Sequence, residues 1–350
     1  MKTFKKIKFL YLIIILSIIF AFPAKNVFAI DNFAEIVIEQ STNRILYDKN
    51  MHKKLPIAST TKILTAITVI DNIDLDTIVK ITKDMVGIEG SSAYLTVGEE
   101  LTVSDLLFGL MLRSGNDCAV ALAIAVSGSV TNFCNLMNTH AHHIGAINSN
   151  FNNPHGLPDD NHYSTAYDLA IITSYAMKNS AFAKIVSAKS IKIGDNLWIN
   201  KNKMLNIYPG ANGVKTGYTK KAGRCLVTSA QQNEMQLISV VLNCNDMWNR
   251  SCSLLDSCFN EYTMTKVFDS SYVIDNVKVK NSNKKCGIYA KKDVYLPLKE
   301  NEYDKIKIVY DYPKYLKAPI NRDTNCGKIN FFLDNYLLFS ENIYTINNIK

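Results

Sequence analysis

Apolar residues recur at helical spacing in the first strongly patterned stretch of the chain, residues 56–70. Pro56 precedes an apolar run at positions 63, 64, 66, 67 and 70, which predicts a buried helix that begins near Ala58. Ser59 and Lys62 are three residues apart, so they share one face of its first turn. Burying polar groups is costly unless they are used, and a hydroxyl beside an amine is a nucleophile beside a candidate base.

The remainder of residues 30–265 alternates between short strands and apolar helices. Alternating residues at 34–39 and 44–47, joined by a Ser-Thr-Asn turn, predict a β-hairpin. The first of the further helices carries a Thr102-x-x-Asp105 capping signature. These helices are predicted at Val103 to Leu112, Asp117 to Val126, Val130 to Ile144, Ser164 to Met177 and Asp246 to Met264. Strands are predicted at Gly213 to Thr219, Arg224 to Ala230 and Met235 to Asn243. This order favours an α+β domain in which one antiparallel sheet gathers both ends and helices flank it.

Residues 266–350 have a different pattern. Short alternating runs separated by turn residues replace the helical spacing, which predicts a small all-β domain after the first one. The last apolar residues, 333–346, also have strand character, and no basic amphipathic stretch of the kind that lies on membranes follows them. Contact with a membrane surface is therefore left open.

The N-terminal residues 1–29 have the pattern of an export signal. Four lysines precede an apolar stretch of 14 residues, Phe9 to Phe22, and Val27-Phe28-Ala29 provides a small-residue cleavage site. Removing them leaves 34 basic against 31 acidic residues, a balance of +3 that is too small to indicate a nucleic-acid partner. We therefore expect an extracytoplasmic protein. Its eight cysteines show no metal or disulfide spacing and are predicted to be mostly buried free thiols.

Two further motifs follow the Ser59-x-x-Lys62 pair in the chain. Ser114-Gly115-Asn116 lies between two predicted helices, and Lys215-Thr216-Gly217 lies on a predicted strand. Each motif alone is common, and a helix-capping serine with a surface lysine would explain the first. Their order, however, is that of the motif set used by penicillin-binding proteins and class A β-lactamases.

The chain resembles the serine D-alanyl-D-alanine carboxypeptidases, the low-molecular-mass penicillin-binding proteins of the penicillin-binding protein 5 type. The similarity spans nearly the whole mature chain and includes residues 98–103, 153–157, 162–168 and 215–219, with the family's C-terminal β domain matching residues 266–347. Two departures are visible. Arg113 replaces the usual proline before the second motif, and Asn200-Lys201-Asn202 replaces a usual Asn-Thr-Asn.

The resemblance implies a role for each motif residue in acyl transfer from a peptidoglycan stem peptide that ends in D-Ala-D-Ala. Ser59 is the expected nucleophile and Lys62 its base. An ordinary lysine pKa of ~10.4 must fall to ~7–8 for this, which needs about 3–4 kcal/mol from burial and a neighbouring cation such as Lys215. Ser114 is expected to relay a proton, and Asn116 to bridge Lys62 and the substrate. Lys215 and Thr216 are expected to bind the terminal carboxylate, and Gly217 to let the substrate approach the strand backbone closely. The backbone N–H groups of Ser59 and Tyr218 are the expected oxyanion donors. No metal or cofactor is expected.

Two other functions share these motifs. Class A β-lactamases need a glutamate for deacylation, and none occurs between Asn116 and Lys215. We therefore expect β-lactam antibiotics to act as covalent inhibitors. A wall-binding or β-lactam-sensing module that does not turn over is the non-enzymatic alternative.

The remaining polar candidates carry weaker signals. His140, His142 and His143 lack a carboxylate at ligand spacing and are predicted to lie on a solvated helix face, whereas His155 and Asp168 are predicted to be structural. Arg224 and Arg250 are candidates for contact with an anionic substrate.

Overall fold

The structure is a computed structural model, and it describes residues 32–350. The predicted export segment, residues 1–29, lies outside the described residues. Within the described part, no single helix is long and apolar enough to cross a membrane; Asn116–Ser127 and Val130–Ile144, which are bent by 84°, reach that length and hydropathy only as a pair.

An antiparallel five-stranded sheet forms the centre of the first domain. Its strands, in the spatial order β2-β1-β9-β8-β7, are β1 Ala34–Glu39, β2 Ile45–Lys49, β7 Ala211–Thr219, β8 Gly223–Gln232 and β9 Met235–Leu242. The N-terminal hairpin joins the later strands because β1 pairs with β9, with Ile36 opposite Val240. Every residue of β1 is buried, since helices cover both faces of the sheet. The predicted fold class and the predicted sheet are therefore confirmed.

Eight helices flank this sheet in the described residues. They are α1 Lys62–Ile70, α2 Val103–Phe108, α3 Asn116–Ser127, α4 Val130–Ile144, α5 Ala166–Met177, α6 Ser180–Ser187, α7 Met204–Ile207 and α8 Met247–Glu261. Helix α1 is buried along nearly its whole length, as its apolar pattern predicts, and it packs against α3, α4 and α5. Two short strand pairs complete the domain: β3 Ile78–Lys80 with β4 Glu100–Thr102, and β5 Ser190–Ile193 with β6 Asn196–Ile199.

The helix that precedes the second motif differs from its prediction. Thr102 and Asp105 form the predicted capping box at its start. The α-helical geometry nevertheless ends at Phe108, and Gly109–Arg113 form a wider π-helical turn that ends at Ser114 in the left-handed conformation, with φ of 63°. This widened turn directs the chain back toward α1, so the second motif lies beside the first.

Four other segments also differ from the sequence prediction. Helix α5 begins at Ala166, two residues after Ser164, with Thr165 as its N-cap. The last predicted helix ends at Glu261, because Thr263–Phe268 form strand β10 and pair with β13, Val294–Leu298. Helix α6 and the β5–β6 hairpin were not predicted, since they are short: α6 has eight residues and each strand of the hairpin has four.

Residues 263–350 form β-structure only, apart from one short turn of 3-10 helix at Tyr303–Lys305. A six-stranded sheet has the order β14-β16-β17-β12-β11-β15, with β11 Asp275–Val279, β12 Lys285–Tyr289, β14 Ile306–Asp311, β15 Tyr315–Leu316, β16 Asn325–Leu333 and β17 Tyr336–Thr345. The all-β prediction for this region is confirmed. All eight cysteines are free thiols, and five of them are buried.

The β-region packs against the helical domain through a few charged contacts. Arg44 donates to Glu302 at 2.8 Å and to the carbonyl of Pro297, and its guanidinium lies 5.2 Å from the ring centre of Tyr262. Lys299 pairs with Glu261 at 2.7 Å. These contacts join the residue before strand β2 and the end of helix α8 to strand β13 and the loop that follows it.

Candidate active site

The first motif lies on a tight turn that leads into helix α1. Residues Ala58–Thr61 form one turn of 3-10 helix, and Ala58 adopts a left-handed φ of 47°. The hydroxyl of Thr61 donates to the Ala58 carbonyl at 2.8 Å, and the hydroxyl of Thr60 donates to the Ile57 carbonyl at 2.6 Å. These two bonds hold a strained backbone in place and present Ser59 at the open end of the helix.

Lys62 is fully buried directly behind Ser59. Its Nζ lies 3.1 Å from Ser59 Oγ, 2.7 Å from Asn116 Oδ1 and 2.7 Å from the carbonyl oxygen of His155. An ammonium group has three N–H donors, so these three oxygens would satisfy it completely. The amine is therefore fixed in position between the nucleophile, the second motif and the loop at residues 153–157.

The second motif is held in place by residues 89–95, which precede it in the chain. Asn116 donates from Nδ2 to the carbonyl of Glu89, which fixes the orientation of its amide so that Oδ1 points to Lys62. The neighbouring Asp117 carboxylate accepts hydrogen bonds from the backbone of Ala93 and Leu95. Ser114, 5% exposed, lies at the edge of the same cleft.

Strand β7 brings the third motif against the Ser59 turn. A Cβ at Gly217 would lie 3.1 Å from the Ser59 amide nitrogen and 3.0 Å from the Ile57 carbonyl oxygen. Any side chain there would push the strand away, so this glycine permits the close approach that the sequence predicts. Lys215 is buried on this strand, whereas Tyr218 is 66% exposed at the cleft.

Burial and a neighbouring positive charge lower the pKa of each of the two lysines. Burial, followed by the charge of Lys215, holds the pKa of Lys62 well below its ordinary value. The pKa of Lys215 falls to about 7, first because it is buried and second because Lys201 is nearby. The structure thus supplies both effects that the sequence analysis requires for a basic amine at neutral pH.

The three motifs border one cleft of about 280 Å³. Its lining consists of Ser59, Ser91, Ser114, Lys201, Thr216, Gly217, Tyr218, Arg224, Met247 and Trp248. Lys201 and Arg224 place positive charge in this lining. Among the residues that the structure describes, the lining includes no carboxylate side chain, so the cleft suits an anionic ligand.

The sequence analysis assigned no role to four residues of the lining: Ser91, Lys201, Met247 and Trp248. Lys201 is the charged residue among these four. Its Nζ lies 3.2 Å from Ser91 Oγ, next to the cleft. The signal was visible as the lysine in Asn200-Lys201-Asn202 where the family usually has threonine. Arg250, by contrast, is engaged elsewhere, because it forms a two-point ion pair with Glu35 at 2.7 and 2.8 Å. The suggestion that Arg250 holds substrate is therefore wrong.

A loop behind the nucleophile adds a chain of buried hydrogen bonds. His162 Nδ1 accepts from the backbone N–H of Asn152 at 3.1 Å, so the proton lies on Nε2, which is 2.7 Å from Thr61 Oγ1. Burial lowers the pKa of His162 to about 4, which keeps this ring neutral. Since Thr61 in turn donates to Ala58, His162 supports the backbone of the Ser59 turn.

Asp168 and His140 have structural contacts, whereas His142 and His143 are exposed on helix α4 as predicted. Asp168 accepts from the backbone of Asn148 and from Ser149, and so caps a loop as predicted. His140 differs from the prediction of a solvated face. It lies 2.9 Å from Thr68 Oγ1 and 3.4 Å from the Asp71 carboxylate, because helix α4 turns this side chain toward α1.

Family models and relatives agree over both parts of the chain. Residues 22–246 match the model described as D-alanyl-D-alanine carboxypeptidase, and residues 262–350 match the one described as penicillin-binding protein 5, C-terminal domain. The carboxypeptidase DacF of Bacillus subtilis is 35% identical over 71% of this chain and 68% of its own length. DacA of Haemophilus influenzae is 31% identical over 90% of this chain and 84% of its own. The crystal structure of penicillin binding protein 5 from Haemophilus influenzae superposes with a TM-score of 0.77 at 30% identity, covering 90% of this chain and 96% of that one.

Proposed function

The chain belongs to the D-alanyl-D-alanine carboxypeptidase family, and from this we propose that it removes the terminal D-alanine from peptidoglycan stem peptides through an ester on Ser59. The observation that carries the proposal is the buried Lys62 amine, 3.1 Å from the Ser59 hydroxyl and next to a second buried lysine. Peptidoglycan lies outside the cytoplasmic membrane, so the predicted export segment agrees with this substrate.

Acylation begins with an uncharged Lys62. An uncharged amine has two N–H donors and one lone pair. When the donors are directed to Asn116 Oδ1 and the His155 carbonyl, both at 2.7 Å, the lone pair faces Ser59 Oγ. The hydroxyl proton passes to Nζ as Oγ forms a bond with the scissile carbonyl carbon.

Collapse of the tetrahedral intermediate then breaks the bond to the D-alanine nitrogen. That nitrogen must gain a proton as it leaves, and Lys62 now carries one. We assign Ser114, at the edge of the cleft, to relay this proton. The developing oxyanion is assigned to the backbone N–H groups of Ser59 and Tyr218; one such donor is typically worth ~3–4 kcal/mol.

The free carboxylate of the terminal D-alanine selects the substrate. Thr216 on β7 provides a hydroxyl to the cleft, with Lys215 buried next to it in the strand. Lys201 adds a second lysine from the segment between β6 and α7. A carboxylate is recognised well by such charged donors. The site therefore favours the free C-terminal end of the peptide, and the enzyme acts as an exopeptidase.

The ester on Ser59 is released by water, and the rate of this step distinguishes the competing functions. An efficient β-lactamase would need a base for that water, and the described cleft lining offers no carboxylate for the purpose. A β-lactam ester should therefore persist, because its leaving nitrogen stays attached to the acyl group and covers the ester. D-Alanine departs from the peptidyl ester and leaves room for water, so that ester turns over.

One experiment separates the three functions. The mature protein is incubated with a pentapeptide that ends in D-Ala-D-Ala and, in parallel, with a fluorescent penicillin. We expect release of D-alanine together with a long-lived label that maps to Ser59. Rapid loss of the label would indicate a β-lactamase, and a stable label without any release of D-alanine would indicate a sensor; either result contradicts the proposal.

Replacing Lys201 by threonine is expected to move the alkaline limb of the pH profile to higher pH. Lys215 must be charged to hold the carboxylate, and its pKa of about 7 is depressed partly by Lys201. Removal of that charge raises the pKa of Lys215, so activity is lost at a higher pH. The kcat/KM should also fall about tenfold, because one charged contact to the carboxylate is lost.

The measurement is kcat/KM for D-alanine release as a function of pH. The exposed Lys203, two residues away, provides the control, and Lys203→Thr should leave the profile unchanged. An alkaline limb at the same pH in the wild-type protein and in Lys201→Thr would contradict the assignment.

A further inference from the structure

One face of the C-terminal sheet carries a group of lysines that the catalytic site does not use. Strands β12, β11 and β15 form one edge of the six-stranded sheet. Val277 and Val279 of β11 point into the core, so Lys278 and Lys280 point outward. We call the outward surface the lysine face, and it consists of Lys278, Lys280, Lys285, Lys317 and Tyr315.

The register of these strands places like charges next to one another. Lys278 lies directly opposite Lys285 on β12, and its neighbour on the other side is Tyr315 of β15. The backbone N–H of Lys280 donates to the Leu316 carbonyl at 2.8 Å, which puts Lys280 beside Lys317. Like charges directly opposite in a sheet are destabilising, so this arrangement needs a compensating partner.

No acidic side chain of the described residues neutralises this face. All four of its lysines are exposed, and none forms an ion pair with a carboxylate in the part of the chain that the structure describes. Other lysines of the same domain are paired: Lys266 with Asp269 and Asp293, and Lys299 with Glu261. The nearby Asp275 carboxylate accepts from the Tyr312 hydroxyl at 2.9 Å.

The lysine face is grooved and not flat. A groove of about 580 Å³ runs between the β11–β12 turn and β15, and its lining is Lys278, Val279, Lys280, Asn281, Ser282, Asn283 and Tyr315. Amide and hydroxyl side chains therefore lie beside the two lysines. A groove with charged and neutral donors fits a chain of phosphate groups, whereas a planar bilayer would reach only its rims.

We propose that the lysine face binds a linear polyanion whose units are joined by phosphodiesters. Successive outward residues on one strand are about 7 Å apart, since each residue rises about 3.3–3.4 Å, and neighbouring strands are about 4.8 Å apart. Repeating phosphates can therefore meet several lysines at once. Such binding would hold the enzyme near an anionic polymer without occupying the Ser59 cleft.

The test uses a fluorescently labelled oligo(glycerol phosphate) as the probe and the whole protein from residue 30 onward. Binding is measured by anisotropy over a range of salt concentrations. The variant Lys278→Gln/Lys280→Gln/Lys285→Gln is compared with Lys305→Gln/Lys307→Gln/Lys328→Gln. The second variant removes three exposed lysines near the opposite edge of the same sheet that form no ion pair within residues 32–350. Both variants must still be acylated by labelled penicillin, which shows that they are folded.

We expect the wild-type protein and the second variant to bind the probe with a marked salt dependence. The first variant should bind at least about tenfold more weakly. Its salt slope should fall by about 2, since each of the three lost phosphate contacts on a single-stranded polyanion reduces the slope by roughly 0.7. Equal weakening in the two variants would overturn the proposal. If polyglutamate binds as well as the probe, the face needs only negative charge. If phosphatidylglycerol vesicles bind while the soluble probe does not, the face is a membrane site. Either result also overturns the proposal. Because acylation is measured separately, failure here leaves the proposed catalytic function untouched.

Discussion

Replacing Ser59 by alanine is expected to reduce kcat/KM for D-alanine release by at least about 10⁴-fold and to abolish covalent labelling by penicillin. The reason is that no other hydroxyl in the cleft lies at hydrogen-bonding distance from Lys62 among the described contacts. The substitution removes only one oxygen from a partly exposed side chain, so the free energy of unfolding should change little. The measurement is a pentapeptide assay together with intact-mass analysis after exposure to penicillin.

Ser257→Ala provides the matched control for this variant. Ser257 lies on an exposed position of helix α8 and contacts Glu261, far in sequence from all three motifs. We expect wild-type activity and labelling. A penicillin adduct that survives in Ser59→Ala would mean that the nucleophile is another side chain, and the assignment of the site would be wrong.

Replacing Lys62 by arginine should cost about 10²–10⁴-fold in kcat/KM, even though the positive charge is kept. A guanidinium stays protonated at every accessible pH, so it cannot accept the Ser59 proton. In the wild-type protein we expect activity to rise with pH through the lowered pKa of Lys62, because only the uncharged amine is a base. Lys62→Arg should lack this rise, and a pH profile of acylation by penicillin checks the difference.

A second variant and a melting experiment separate loss of the base from loss of the fold. Lys62→Met fills nearly the same volume without charge and should be equally inactive, although it leaves Asn116 Oδ1 without its donor. Thermal melting shows whether each variant is folded. An arginine variant that melts normally and retains the acidic limb of the wild-type profile would exclude Lys62 as the base.

The close packing of the third motif against the first brings two buried lysines near each other. Burial and the charge of Lys215 disfavour the charged form of Lys62, and burial and the charge of Lys201 disfavour the charged form of Lys215. Arrival of the substrate carboxylate would stabilise Lys215 in its charged form. The charged Lys215 then keeps the pKa of Lys62 low at the moment when a base is needed.

The sequence by itself determined the elements and the chemistry that depend on near neighbours. Ser59 and Lys62 face the same way because one helical turn separates them, and the capping box at Thr102 requires only Asp105 three residues later. The order of the three motifs, together with the alternation that predicts the C-terminal strands, was enough to indicate the family and the α+β architecture. These features depend on the spacing between residues that are close together in the sequence.

Only the tertiary structure decided which distant residues share a surface. The widened turn at Gly109–Arg113 and the left-handed Ser114 have no clear sequence signal, yet they bring Asn116 to within 2.7 Å of Lys62. Arg250 pairs with Glu35, 215 positions away. Lys278, Lys285 and Tyr315 lie in one row because of strand register. The physical reason is that contacts between remote segments depend on packing of the whole core, and a pattern read along one strand or helix holds no information about which other segment will lie beside it.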